Sequence, residues 1–413
     1  MVQAGARTET ALHSSRIPAN RATNRLARRL EHLRAAGVEV NDLTESNPTR
    51  VAIEYPADLL APLGSASGLR YDPQPRGLLS ARRAVAGWLN GAVVPDRIVL
   101  TASTSEAYAL LFKLLCDPGD DILVPQPSYP LFEHLAGFEG VNLSPYPLVC
   151  DGRVWRIDAG ALPLAAGPRT RAAVAVNPNN PTGSYLAEPD RDALAALCRE
   201  HAIPLIVDEV FSGYAIDPRP GVERTILQGA SAAAGGVDGI VKFVLGGLSK
   251  AVGLPQVKLA WIAIDGPADD VAELMDALDL LTDTYLSVST PAQLAAPHLL
   301  AAGAAVTSRI RTRVSANYTW LVDRAAAAPA VQVLRAEGGW SAVIRLAAPS
   351  GPDLEEALAI DLLEENRVDD GCVLVHPGYF FDFADGSHIV ISLLPPPARF
   401  RAGVRRLLAR AGG

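Results

Sequence analysis

Ala172-Ala-Val-Ala-Val176 runs directly into Asn177-Pro-Asn-Asn-Pro-Thr-Gly183. The first five residues are small and apolar, as in a strand buried on both faces. The next seven are turn formers: Pro lacks the N–H a ladder needs, Asn bonds its own backbone, and Gly admits left-handed geometry. A strand that stops so abruptly in a parallel sheet delivers its end to the edge where ligands bind. Asn, Pro and Gly also crowd ordinary turns, so this stretch alone establishes the strand and leaves the ligand open.

Working outward, short apolar runs recur at Arg97–Thr101, Asp121–Val124, Val141–Tyr146, Pro204–Val207, Val241–Leu245 and Leu259–Ile264. Between them Glu106–Leu115 and Asp190–His201 carry helical periodicity. Strand and helix in alternation imply an α/β unit: a mostly parallel sheet of seven strands, sandwiched by helices. The tail differs. Val331–Leu334, Ser341–Leu346, Cys372–Val375 and His388–Leu393 read as strands, with Leu354–Glu365 and Phe400–Ala409 as helices. A basic helix from about Asn20 to Ala36, ended by Gly37, is expected to pack near them. The division predicted is residues 1–49 as an arm and helix joining the small unit, 50–295 as the large domain, and 296–413 as a smaller α+β domain. The Ala/Gly run from Gly229 to Gly236 reads as a loop or helix end.

Composition bounds the function. Of 413 residues, 49% are hydrophobic and 20% charged, enough for a sizeable core. A net charge of −8 argues against nucleic acid as a partner, which needs a basic surface. Arg21, Arg25, Arg28, Arg29 and Arg34 read as a solvated helix face. No apolar run approaches the roughly 18–20 residues of a membrane span, and residues 1–15 lack the apolar core of a secretory signal. The four cysteines form no CxxC pair and no metal-ligand spacing. The expectation is a cytoplasmic protein with reduced thiols and no metal.

Three further segments carry chemistry. Pro204-Leu-Ile-Val-Asp208-Glu209 sets a carboxylate at the end of an apolar strand, where it caps a helix or faces a cationic ligand atom. Val241–Leu245 leads into Gly246-Gly-Leu-Ser-Lys250, a lysine just past a buried strand. Desolvation lowers an amine's proton affinity and makes it a nucleophile toward carbonyls. Thr101-Ala-Ser103-Thr104-Ser105-Glu106 lies at a strand-to-helix junction that can hold an anion.

In this order and spacing, the chain resembles the fold-type I pyridoxal 5′-phosphate (PLP) enzymes, specifically the class I/II aminotransferases, from about Leu43 to Leu408. The resemblance implies an enzyme that moves an amino group between an L-amino acid and a 2-oxo acid. It makes Lys250 the Schiff-base lysine, Asp208 the partner of the pyridinium nitrogen, and Asn180 the amide on the phenolic oxygen. Ser103, Thr104 and Ser105 match the phosphate cup, with Ser249 beside the lysine and Lys258 as phosphate cation. Tyr129, in Pro127-Ser-Tyr129-Pro, is similar to the residue that stacks on the ring. Tyr71, in Arg70-Tyr-Asp-Pro-Gln-Pro-Arg-Gly77, resembles the tyrosine lent to the neighbouring subunit of a homodimer.

Two positions depart from the family. Phe211 stands where a tyrosine usually donates to the phenolic oxygen, and Val390 where a strand arginine usually grips the substrate carboxylate. Arg16 and Arg345 are the replacement cations considered first, and Ser46 and Asn47 complete the candidate substrate residues. The departures keep a second reading open: elimination, replacement or oxidation on the same scaffold, acting on an unusual biosynthetic amino acid.

Overall fold

The computed structural model describes residues 12–222, 224–227, 239–347, 351–364 and 371–411. The expectation for Gly229–Gly236 lies outside them. Among the described residues the large sheet has eight strands. Its centre is parallel: Lys242–Gly247, Leu205–Asp208, Thr170–Val176, Asp121–Gln126 and Asn142–Asp151 lie side by side. Ala260–Asp265 runs antiparallel between Lys242–Gly247 and Ile98–Thr101.

All seven expected strands are present, and the eighth corrects the count. Asn142–Asp151 runs on past Tyr146 and turns back through Gly152-Arg153 into Val154–Ile157. Gly152 has φ 65°, the left-handed geometry a two-residue hairpin turn demands. Pro145 and Pro147 interrupt the alternation there, so the second half of the strand reads as loop in the sequence.

The central strands alternate between two cores. Ile206 and Phe243 face one helical layer with Tyr108, Leu111 and Phe112, while Val207 and Val244 face the other with Trp261 and Leu248. This parity has a functional consequence at the strand end. Asp208 shares the face of Ile206 and points toward the helix Thr104–Leu115, and Glu209 takes the opposite face.

The smaller unit holds an antiparallel sheet in the order Val331–Val333, Ser341–Leu346, His388–Ser392, His376–Pro377. Cys372–Leu374 leaves this sheet and pairs instead with Val40–Asp42, so both chain ends meet. The N-terminal helix is Arg25–Ala35, starting later than expected because Asn24 caps it, its side chain accepting the Ala27 N–H at 2.7 Å. Leu26 and Leu33 are buried while Arg25, Arg28 and Arg34 face outward. One 36-residue helix, Thr290–Ala325, runs through position 295 and joins the two units. No helix among the described residues is long and apolar enough to cross a membrane.

Candidate active site

The strand ends and the small unit enclose a cavity of about 350 Å³, within the range of small-molecule sites. Ser46, Ser103, Thr104, Ser105, Tyr129 and Asn180 line it, as do Asp208, Phe211, Ser249, Lys250 and Lys258. These are eleven of the candidate residues, drawn from six segments of chain.

The turn Asn177–Gly183 divides its labour. The Asn177 N–H donates to the Asp208 carbonyl at 2.8 Å and its side chain accepts from Leu186, which fixes the turn to the neighbouring strand. Asn179 accepts from the Thr182 hydroxyl at 2.9 Å and closes the turn. Asn180 has no hydrogen-bond partner among the described residues and presents its amide to the cavity. Gly183 has φ +71°, and a Cβ there would sit 2.7 Å from the Gly338 carbonyl oxygen.

Asp208 closes the cavity floor. Its carboxylate accepts the Val210 N–H at 3.1 Å and the Tyr108 hydroxyl at 3.1 Å. Burial raises its pKa to about 6 against these two donors and the Lys250 charge. Glu209, on the far face, accepts the Ile226 N–H at 2.8 Å, and burial raises it to about 8.

Lys250 sits on the short helix Leu248–Ala251 directly after the strand Lys242–Gly247. Its ammonium makes no hydrogen bond to the described residues; it lies 4.6 Å from the Trp340 ring centroid and 5.3 Å from that of Phe211. Burial lowers its pKa to about 8, so a reactive share of free amine exists near neutral pH.

The third corner suits an anion. Ser103 caps the helix Thr104–Leu115 by accepting the Glu106 N–H at 3.1 Å, and the Glu106 carboxylate reaches back to the Ala102 N–H. The positive helix end and the Thr104 and Ser105 side chains thus face the cavity. Lys258 joins them at φ +58°, a left-handed conformation that costs a non-glycine residue about 1–2 kcal/mol. Strain of this kind concentrates at functional sites.

Four candidates lie elsewhere. Asn47 caps the turn Pro48–Arg50, its side chain accepting from Thr49. Arg16 donates to the Phe138 carbonyl at 3.2 Å, and Arg345 to the Gln332 side chain at 3.4 Å. Tyr71 is 75% exposed, on the wall of a second cavity with Tyr285.

The structure adds residues that the sequence reading missed. Tyr108 holds Asp208, and Trp340 and Ser341 form the small unit's wall. Trp340 packs edge-on against Phe211 and Tyr214 at 5.3 and 5.0 Å. Its strip of chain is laced to the large unit. Glu337 and Gly338 donate to the Gly183 carbonyl, Gly339 to that of Tyr214, and the Glu337 carbonyl accepts from Ile216. Glu337, 1% exposed, also takes a two-pronged ion pair from Arg219.

The arrangement fits a flat ligand with a protonatable ring nitrogen, an aldehyde and a phosphate: a carboxylate, an amine with no hydrogen bond and an anion corner line one cavity. Comparison with known proteins agrees. The family model for aminotransferase class I and II matches residues 38–385. An alanine aminotransferase of Mycobacterium tuberculosis is 27% identical over 393 residues, spanning 91% of this chain and 86% of the relative. An S-alkyl-thiohydroximate lyase of Arabidopsis thaliana is 29% identical over 258 residues, 61% of this chain and 53% of the relative. The solved alanine aminotransferase of Pyrococcus furiosus shares the fold at a TM-score of 0.84, with 23% identity and 97% and 99% of the two chains covered. With 348 of its residues inside that family's pattern, the chain belongs to the class I and II aminotransferases, enzymes that work with pyridoxal phosphate.

Proposed function

We propose that Lys250, Asp208 and Asn180 are the working groups by which this aminotransferase passes an amino group between an L-amino acid and a 2-oxo acid. The observation that carries this is the Lys250 amine, buried and without a hydrogen bond in a cavity whose floor is a buried carboxylate. Thr104, Ser105, Ser249 and Lys258 would hold the phosphate, Asn180 the phenolic oxygen, and Tyr129 the face of the ring.

Pyridoxal phosphate, when bound, supplies an electron sink that makes the proton on the amine-bearing carbon removable. The protein's part is charge and position. Asp208, kept in place by Tyr108 and Val210, sets a negative charge against the ring nitrogen and favours its protonated form. Lys250 Nζ takes the proton from the substrate carbon and delivers it to its new position, a task suited to an amine with pKa near the working pH. Trp340 and Phe211 keep water from that nitrogen.

The supporting surface for a homodimer is the exposed pair Leu69 and Tyr71, 90% and 75% exposed, beside Tyr285 at 55%. Tyr71 would cross to the phosphate of the second subunit. A cytoplasmic location suits the four cysteines, all free thiols.

Borohydride reduction of the holoenzyme followed by peptide mapping tests the assignment. The phosphopyridoxyl label is expected on Lys250, and its absence there in a folded, yellow protein refutes the reading. Similarity to the Arabidopsis lyase favours carbon–sulfur cleavage as the second reading. Keto acid formed with one equivalent of aminated cofactor marks transamination, whereas ammonia or a released thiol marks cleavage.

A further inference from the structure

Lys250 enters its cavity past two aromatic faces. Its Nζ lies 4.6 Å from the centroid of the Trp340 ring and 5.3 Å from that of Phe211. A cation within about 6 Å of a ring is drawn to the negative face of its π system, most strongly by indole. Water weakens that attraction, and Trp340 is only 3% exposed.

One side chain fixes the spacing. The Tyr214 hydroxyl donates to the Lys250 carbonyl, and the Tyr214 ring meets that of Trp340 edge-on at 5.0 Å. The Gly339 N–H donates to the Tyr214 carbonyl at 2.9 Å, so Tyr214 sets the indole and the lysine against each other. Two further hydroxyls hold the lysine's segment: Thr307 donates to the Ala251 carbonyl at 2.6 Å and Tyr55 to that of Gly253 at 2.7 Å.

Other groups bear on the same proton. Burial lowers the pKa of Lys250 to about 8, and the Asp208 charge opposes that. Lys258 lines the cavity, as do the Tyr108 and Tyr129 phenols. Burial raises both phenols, and Tyr55 and Tyr214 with them, so all four are neutral. Once Asp208 is paired with the cofactor's ring nitrogen, a charge on Nζ leans on the aromatic faces.

We propose that Trp340 is a catalytic residue: in contact with the reacting nitrogen, its indole face stabilises Lys250 as an ammonium and so sets the pH at which that amine gives and takes protons. The claim rests on the reading of Lys250 as the Schiff-base lysine.

The test changes electrons and keeps shape. Fluorine drains the indole face at nearly constant size, which a merely structural tryptophan would not register. The apoprotein is prepared with monofluoro- or trifluorotryptophan and with lysine carrying carbon-13 at Cε. Its four lysines are Lys113, Lys242, Lys250 and Lys258, so each is followed separately by NMR, with Lys250→Ala assigning the signal. The Lys250 pKa is expected to fall with fluorine count, by about half to one pKa unit with three. In a Trp340→Phe background, where the other four tryptophans are fluorinated, it should hold still. An unmoved pKa, a rise, or an equal fall in the Trp340→Phe background overturns the proposal. A second readout separates the two layers: the rate at which pyridoxal phosphate attaches to the apoprotein, followed by absorbance against pH. Its amine limb is expected to move to lower pH with the NMR value, the cofactor's own ionisations being common to all the proteins. If the NMR value falls and that limb stays, the ring's hold on the ammonium stands. Lys250 is then not the amine that takes the aldehyde, and the catalytic claim falls with that assignment.

Discussion

Tyr108→Phe removes one oxygen atom and keeps the ring packed against Phe112 and Phe132. The lost hydroxyl is one of two donors to Asp208, and both partners are buried. A hydrogen bond to a charged group is worth about 1.5–3 kcal/mol, which at about 1.4 kcal/mol per tenfold raises the proton affinity of Asp208 roughly ten- to a hundredfold. In the cofactor-free protein Asp208 has a pKa of about 6, so at pH 7 it is about nine-tenths ionised. In the variant that share drops to roughly one-half to one-tenth. Only the ionised form pairs with a ring nitrogen. Affinity of the apoprotein for pyridoxal phosphate, read from absorbance titration, is therefore expected to fall about two- to tenfold at pH 7. Because a carboxyl with a raised pKa recovers its charge at higher pH, the two proteins converge at pH 9. Ionisations of the free cofactor affect both alike and cancel in the ratio. A ratio that is the same at pH 7 and pH 9, or no loss at pH 7, refutes the electrostatic account of Tyr108.

Other substitutions probe other parts. Phe211→Tyr restores a hydroxyl beside the cofactor oxygen and is expected to move the pH titration of the holoenzyme's visible absorbance downward; an unmoved titration contradicts the role given to Phe211. Glu209 holds its proton more tightly folded than unfolded, about 8 against 4.5. The stability it contributes is thus complete below about pH 4.5 and is lost as pH rises to 8, a penalty of up to about 5 kcal/mol. Glu209→Gln should accordingly melt higher than wild type at pH 8.5 and lose that advantage at pH 5, and thermal scans at both pH values decide. Glu337→Ala leaves the Arg219 side chain, 10% exposed, as a buried cation without its partner. A loss of about 3–5 kcal/mol is expected in urea denaturation; a loss below 1 kcal/mol would mean the pair is solvated.

The large sheet was legible because its strands are buried on both faces and so read as unbroken apolar runs, as in Val241–Leu245. The hairpin Val154–Ile157 was not, since four residues beside two prolines give no period. Its Gly152-Arg153 turn was the signal available. In the site, turn chemistry and the small residues around Asn180 and Lys250 mark where backbone geometry is forced. Tyr108 carries no such mark: in sequence it is one more aromatic in an apolar run. Trp340 follows Gly338-Gly339, a turn signal that names no ligand, and each role comes from a partner a hundred or ninety positions away. Arg345 failed to reach the cavity for a related reason: a strand position assigns a side chain to a face, and the depth of that face is set by neighbouring strands, whereas Arg16 lies in a turn and donates to the Phe138 carbonyl.

The lacing of Glu337, Gly338 and Gly339 onto Gly183 and the Tyr214–Ile216 stretch has a mechanical outcome. Trp340 follows this strip in the chain order of the smaller body, yet it is anchored to the larger one. Any swing of the smaller body must then use the strip as its fulcrum. The indole stays over the lysine, and the segment before Ser46 is held to the same post, since the Glu45 carbonyl accepts the Ser392 hydroxyl and the Leu393 N–H donates to the Trp340 carbonyl. The ring stack beside the reacting nitrogen works as a fixed post.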